Sequence, residues 1–83
     1  MVNPRGSIYS QLQKEIVRRL RQARQEAGLS QAQVAQSLGL SQSFISKLEA
    51  GQVRLEVLLL LRLARLYGKP LEFFIPPQEG PQR

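Results

Sequence analysis

In the segment SQSFISKLEAG, Gln42, Ser43, Ser46 and Lys47 fall at a spacing that, on a helix, lines them along one side, away from Ile45 and Leu48. All four side chains hydrogen-bond, and none is a carboxylate. That combination suits insertion into the major groove of DNA. Glutamine pairs bidentately with adenine N6 and N7, and lysine reaches guanine O6 and N7 or a phosphate. Phe44, beside Ile45, has two readings: contact with a thymine methyl or sugar, or a cover for the adjoining turn. Catalysis finds little support in the remaining inventory. The carboxylate side chains are Glu15, Glu26, Glu49, Glu56, Glu72 and Glu79, and the chain has no Asp, His or Cys to act as general base or nucleophile. Ser30 and Ser41 stand where capping accounts for them, no glycine-rich phosphate loop is present, and neither a cofactor nor a metal is expected. A non-enzyme is the expectation.

The elements that must hold those side chains have to fit within 83 residues, enough for one domain around one modest core. Twelve Lys and Arg against six acidic residues leave a net charge of +6, which favours a polyanionic partner, nucleic acid ahead of a membrane surface. MVNPRGSIYSQL lacks the apolar core of a signal peptide. In LEVLLLLRLARL, Arg62 and Arg65 break the apolar run well short of the ~20 residues of a membrane span. A soluble, cytoplasmic protein without a membrane partner is expected.

The apolar periodicity predicts an all-α fold. Residues 1–9 read as a flexible arm, 10–75 as the folded domain and 76–83 as a flexible tail. Leu12, Ile16, Leu20, Ala23 and Ala27 recur along one face of a long basic first helix that ends at Gly28. Ser30 and Gln33 form a capping-box pattern for a second helix with Val34, Ala35 and Leu38 inward. Ser41 caps a third helix with Ile45 and Leu48 inward, and Gly51 stops it. Only Gly39, Leu40 and Ser41 separate the second and third helices. So short a link, with small Ala35 at the crossing, is the arrangement of a helix-turn-helix. A fourth helix spans about Glu56 to Tyr67, with Val57, Leu60, Leu61, Ala64 and Tyr67 inward. Pro70 opens a last helical turn whose Leu71 and Phe74 cover the end of the core.

Gln31 to Ala50, within LSQAQVAQSLGLSQSFISKLEAG, resembles the helix-turn-helix of the phage repressor and Cro family, also called the xenobiotic-response-element type. The likeness runs from about Leu12 to Phe74. It implies a compact five-helix repressor-like DNA-binding domain with a central helix-turn-helix. By the same resemblance, Gln42, Ser43, Ser46 and Lys47 occupy base-contacting positions, Gln31 hydrogen-bonds a phosphate, and Arg24 and Glu49 form a largely buried salt bridge between the first and third helices. Many members carry a proline and more basic residues in the loop after the third helix. Here the loop is QVRLEV, which leaves Arg54 as its one backbone-contacting cation and places Glu56 at the start of the fourth helix. Arg18, Arg19 and Arg21 read as a solvated face that adds to the general attraction for DNA.

The expected function is a sequence-specific regulator of transcription, bacterial or phage-encoded, that binds double-stranded DNA and represses by occupying an operator. No effector-binding segment is expected after the domain. Leu58 and Leu59, left over from the inward face of the fourth helix, are expected to join Leu55, Leu66 and Phe73 in a homodimer interface, so that two third helices read a palindrome. Cover by Ile8 and Tyr9 of the arm, or by the Pro70 to Phe74 turn, is the competing account of those leucines. The alternative function is an antitoxin or phage adaptor subunit that works mainly by holding a protein partner.

Overall fold

A computed structural model describes residues 10–77, so the expected arm at 1–9 and the tail beyond 77 lie outside the described residues. Four α-helices follow one another: α1 (Ser10–Glu26), α2 (Gln31–Leu38), α3 (Gln42–Glu49) and α4 (Val57–Tyr67). The fifth helix expected from the resemblance is a single 3-10 turn, Leu71–Phe73, and no strand occurs among the described residues. Pro70, on extended backbone at the N-cap, starts that turn, and three residues are too few to set up α-helical hydrogen bonding.

Local chemistry sets the boundaries of α2 and α3. The Ser30 hydroxyl accepts from the Gln33 N–H at 3.0 Å, while the Gln33 side chain accepts from the Ser30 N–H at 2.8 Å. This reciprocal pair satisfies two backbone donors that the first turn cannot. Gly39, at φ +71°, then lets the Leu40 N–H bond back to the Ala35 carbonyl at 2.8 Å and the Gly39 N–H to that of Gln36. A side chain at that dihedral is disfavoured, so the corner between α2 and α3 depends on glycine.

The core is one cluster fed by every helix. Val17, Leu20 and Ala23 of α1 meet Val34 and Ala35 of α2, Ile45 and Leu48 of α3, and Leu60, Leu63, Ala64 and Tyr67 of α4, with Phe74 closing one end. Several expected inward residues sit differently. Leu12, Ile16, Leu38 and Leu61 are half-buried, and Ala27 is exposed because α1 has already ended. Val57 is 77% exposed, since the first residue of α4 stands beyond the reach of the core, and Leu63 supplies the buried contact instead. Leu71 is exposed, and Phe74 alone caps the core.

The C-terminal turn is fastened to α1 by polar contacts. Arg19 donates to the Phe73 carbonyl at 3.1 Å. Lys69 reaches Glu26 at 2.6 Å and lies 4.7 Å from the centre of the Phe73 ring, which meets Phe74 edge-on.

Candidate nucleic-acid interface

The site is built outward from the N-terminus of α3. The Ser41 hydroxyl accepts from the Phe44 N–H at 3.0 Å, which fixes the first turn of α3 and hence the positions of Gln42 and Ser43. Ile45 and Leu48 bind the inner face of α3 to the core. Its outer face carries Gln42, Ser43, Ser46 and Lys47, all exposed and none with a side-chain hydrogen bond or ion pair among the described residues. A rigid helix thus presents one amide, two hydroxyls and one cation with their hydrogen-bonding capacity uncommitted. Phe44 is half-buried and packs against the core cluster, the geometry of a cover for the turn.

Glu49 anchors the other end of α3. Its carboxylate, 2% exposed, accepts from Arg24 Nε at 2.7 Å and from a terminal nitrogen of the same guanidinium at 3.0 Å. The other terminal nitrogen of Arg24 donates to the Leu29 carbonyl at 2.9 Å. One planar fork therefore joins α1, the α1–α2 loop and α3. The hydrogen bond to Glu49 holds the Arg24 pKa above its usual value, against the opposing pull of burial. Burial, with the Glu49 charge adding to it, pushes the Tyr67 phenol up to about 12.

Gln31, assigned by resemblance to a phosphate, donates its amide nitrogen to Glu49 at 3.0 Å. Its side chain is thus a third tie on the carboxylate, with its second amide N–H and its carbonyl oxygen uncommitted. Arg21 approaches the same carboxylate from outside, at 3.8 Å and half-exposed, a contact that the sequence spacing did not single out. Arg54 stands exposed in the loop after α3. Glu56 occupies the N-cap of α4 without a side-chain capping bond, so it acts there through charge alone.

The four leucines and one phenylalanine expected at a dimer interface do not form one exposed patch. Leu58 is 72% exposed, whereas Leu55, Leu59, Leu66 and Phe73 are half-buried and pack against the core. Val57, expected on the inward face, instead stands exposed next to Leu58. No group of His, Cys, Asp or Glu among the described residues is arranged to hold a metal ion. No helix among them is long and apolar enough to cross a membrane.

Comparison with known proteins agrees with this architecture. A helix-turn-helix family model matches residues 20–74. The HTH-type transcriptional regulator RamB of Mycobacterium tuberculosis is 41% identical over 56 residues, which is 68% of this chain and 12% of RamB. The HTH-type transcriptional regulator PuuR of Escherichia coli is 40% identical over 63 residues, 75% of this chain and 34% of PuuR. The chain therefore spans well under half the length of either relative. No solved structure matches it. The matched span takes in the whole of α2, α3 and α4, the capped corner at Gly39 and the Arg24–Glu49 anchor, and the chain belongs to the helix-turn-helix family of Cro/C1 type.

Proposed function

We propose that this chain is a transcriptional regulator that binds double-stranded DNA by laying α3 in the major groove. The observation that carries the reading is the outer face of α3: Gln42, Ser43, Ser46 and Lys47 exposed together on a helix whose inner face and far end are locked to the core and to Arg24. Gln42 and Ser43 read base edges at the helix N-terminus, and Ser46 and Lys47 extend the contact one turn along. Arg54 contacts the backbone from the loop, and the second amide N–H of Gln31 donates to a phosphate oxygen. The names of the relatives support regulation of transcription. Repression follows most simply, since a bound domain blocks an operator by occupancy. A protein-holding antitoxin or adaptor would leave this carboxylate-free face without a use.

Selection of bound duplexes from a random pool tests the reading, with the enriched sequence as the operator. Gln42→Ala is expected to lose about 1–3 kcal/mol of discrimination at one base pair and to keep nearly all of its affinity for random DNA. Equal losses on operator and random DNA in competition titrations would reassign Gln42 to the backbone contacts.

A homodimer completes the proposal, because one α3 spans few base pairs while two related by a twofold axis read a palindrome whose half-sites lie about 34–36 Å apart. The adjacent exposed Val57 and Leu58 at the start of α4 support it as a self-complementary apolar contact. Leu58→Glu alters this surface alone, whereas a change at Leu59 would also disturb packing. Sedimentation equilibrium is expected to show a wild-type dimer on the operator and a folded Leu58→Glu monomer. A wild type that stays monomeric on its selected DNA rules out the dimer.

A further inference from the structure

A shallow depression of about 260 Å³ lies where α1 meets the C-terminal end of α3, lined by Lys14, Val17, Arg18, Arg21, Glu49 and Ala50. Its cations differ in their freedom. Arg18 is paired with Glu15 at 2.6 Å, so its charge is largely answered on its own helix. Lys14 is exposed and makes no side-chain hydrogen bond or ion pair among the described residues. Arg21 is half-exposed and stands 3.8 Å from Glu49, beyond hydrogen-bonding reach, while that carboxylate already receives Arg24 and Gln31. Lys14 and Arg21 are seven residues apart on α1, two helical turns, so they face the same way.

The depression is also continuous with the outer face of α3. Ser43, Ser46 and Ala50 recur at three- and four-residue steps, which places exposed Ala50 in line with the groove-facing residues. A methyl group there leaves room where a longer side chain would stand between α3 and the two cations. At Ala50 the outer face of α3 thus runs into the depression that Lys14 and Arg21 line from α1.

We propose that Lys14 and Arg21 form a backbone clamp at the α1–α3 seam that grips phosphates of the DNA strand bordering the groove occupied by α3. This rests on the major-groove reading of α3 and extends it. The clamp supplies from α1 cationic contacts that the QVRLEV loop, with Arg54 alone, provides sparingly. Glu49 does not repel the strand, because its charge is neutralised from within by Arg24. Being contacts to phosphate, the two side chains add affinity without sequence preference.

The test is the salt dependence of binding by the full chain to its selected operator and to random duplex DNA, for wild type, Lys14→Gln, Arg21→Gln and the double variant. Arg62→Gln and Arg65→Gln, on the exposed face of α4, serve as controls. Each clamp substitution is expected to lower the magnitude of the slope of log K against log salt by about 0.9, equally on both DNAs, while the ratio of operator to random affinity stays as in wild type. The controls keep the wild-type slope. Unchanged slopes in the double variant, with operator preference intact, overturn the clamp and leave the α3 reading standing. A fall confined to the operator makes these residues base contacts and also overturns it. A wild type that binds no duplex DNA at low salt removes both proposals together. Melting curves taken alongside separate loss of a contact from loss of fold, and Lys14→Gln, at an exposed site without a hydrogen bond or ion pair among the described residues, provides the arm least able to unfold the domain.

Discussion

Glu49→Ala is expected to destabilise the domain by about 3–5 kcal/mol, the cost of leaving one member of a buried ion pair without its partner. Arg24 would keep its charge with a side chain 13% exposed, and its bond to the Leu29 carbonyl answers only one arm of the fork. Gln31 would lose its acceptor as well. Since small domains are stable by only about 5–15 kcal/mol, the substitution removes a large share of the total. Urea unfolding followed by circular dichroism checks this, and a midpoint within error of wild type contradicts it. Glu49→Gln retains an amide oxygen as acceptor and is expected to lose less than Glu49→Ala. DNA binding should fail in step with unfolding, because the anchored end of α3 determines where its outer face points.

Phe74→Ala should cost a similar amount, about 3–5 kcal/mol, for a different reason. The ring is fully buried, and its removal opens a cavity at the end of the core that the short 3-10 turn has no means to refill. The neighbouring contacts, Arg19 to the Phe73 carbonyl and Lys69 to Glu26, lie nearer the surface and contribute less. Leu71→Ala, in the same turn but at a side chain 43% exposed, provides the contrast and should lie within about 1 kcal/mol of wild type. Equal losses at the two positions would mean that the turn is held by its backbone contacts rather than by the Phe74 ring.

The helix-turn-helix was legible because its boundaries are written in side chains that act locally. Ser30 with Gln33, Ser41 and Gly39 cap or turn the chain through bonds spanning at most five residues, and those bonds are present. The phase of α4 was harder to read. A run of four leucines has no polar face, so periodicity alone assigned Val57 and Leu61 inward where packing selected Leu63. The same ambiguity spread the expected dimer surface over Leu55, Leu59, Leu66 and Phe73, which the core partly absorbs. The fifth helix failed for length, since three residues after Pro70 yield one turn. Within the site, the outward set on α3 followed from spacing. The engagement of Gln31 with Glu49 did not, because it depends on how α2 and α3 cross. Lys14 shares a face of α1 with Arg21 at a seven-residue spacing, but only the packing of α1 on α3 brings that face beside the end of α3.

The central claim, that the outer face of α3 reads base edges in the major groove, is tested most directly by removing one major-groove atom at a time from the selected operator. Replacing a purine with its 7-deaza analogue deletes the N7 acceptor and leaves Watson–Crick pairing intact. The account predicts that affinity drops at particular purines of each half-site, and that at one of them Gln42→Ala is indifferent to the replacement because its contact has already been lost. Wild-type affinity retained at every 7-deaza position, on an operator that the chain still prefers to random DNA, would contradict it.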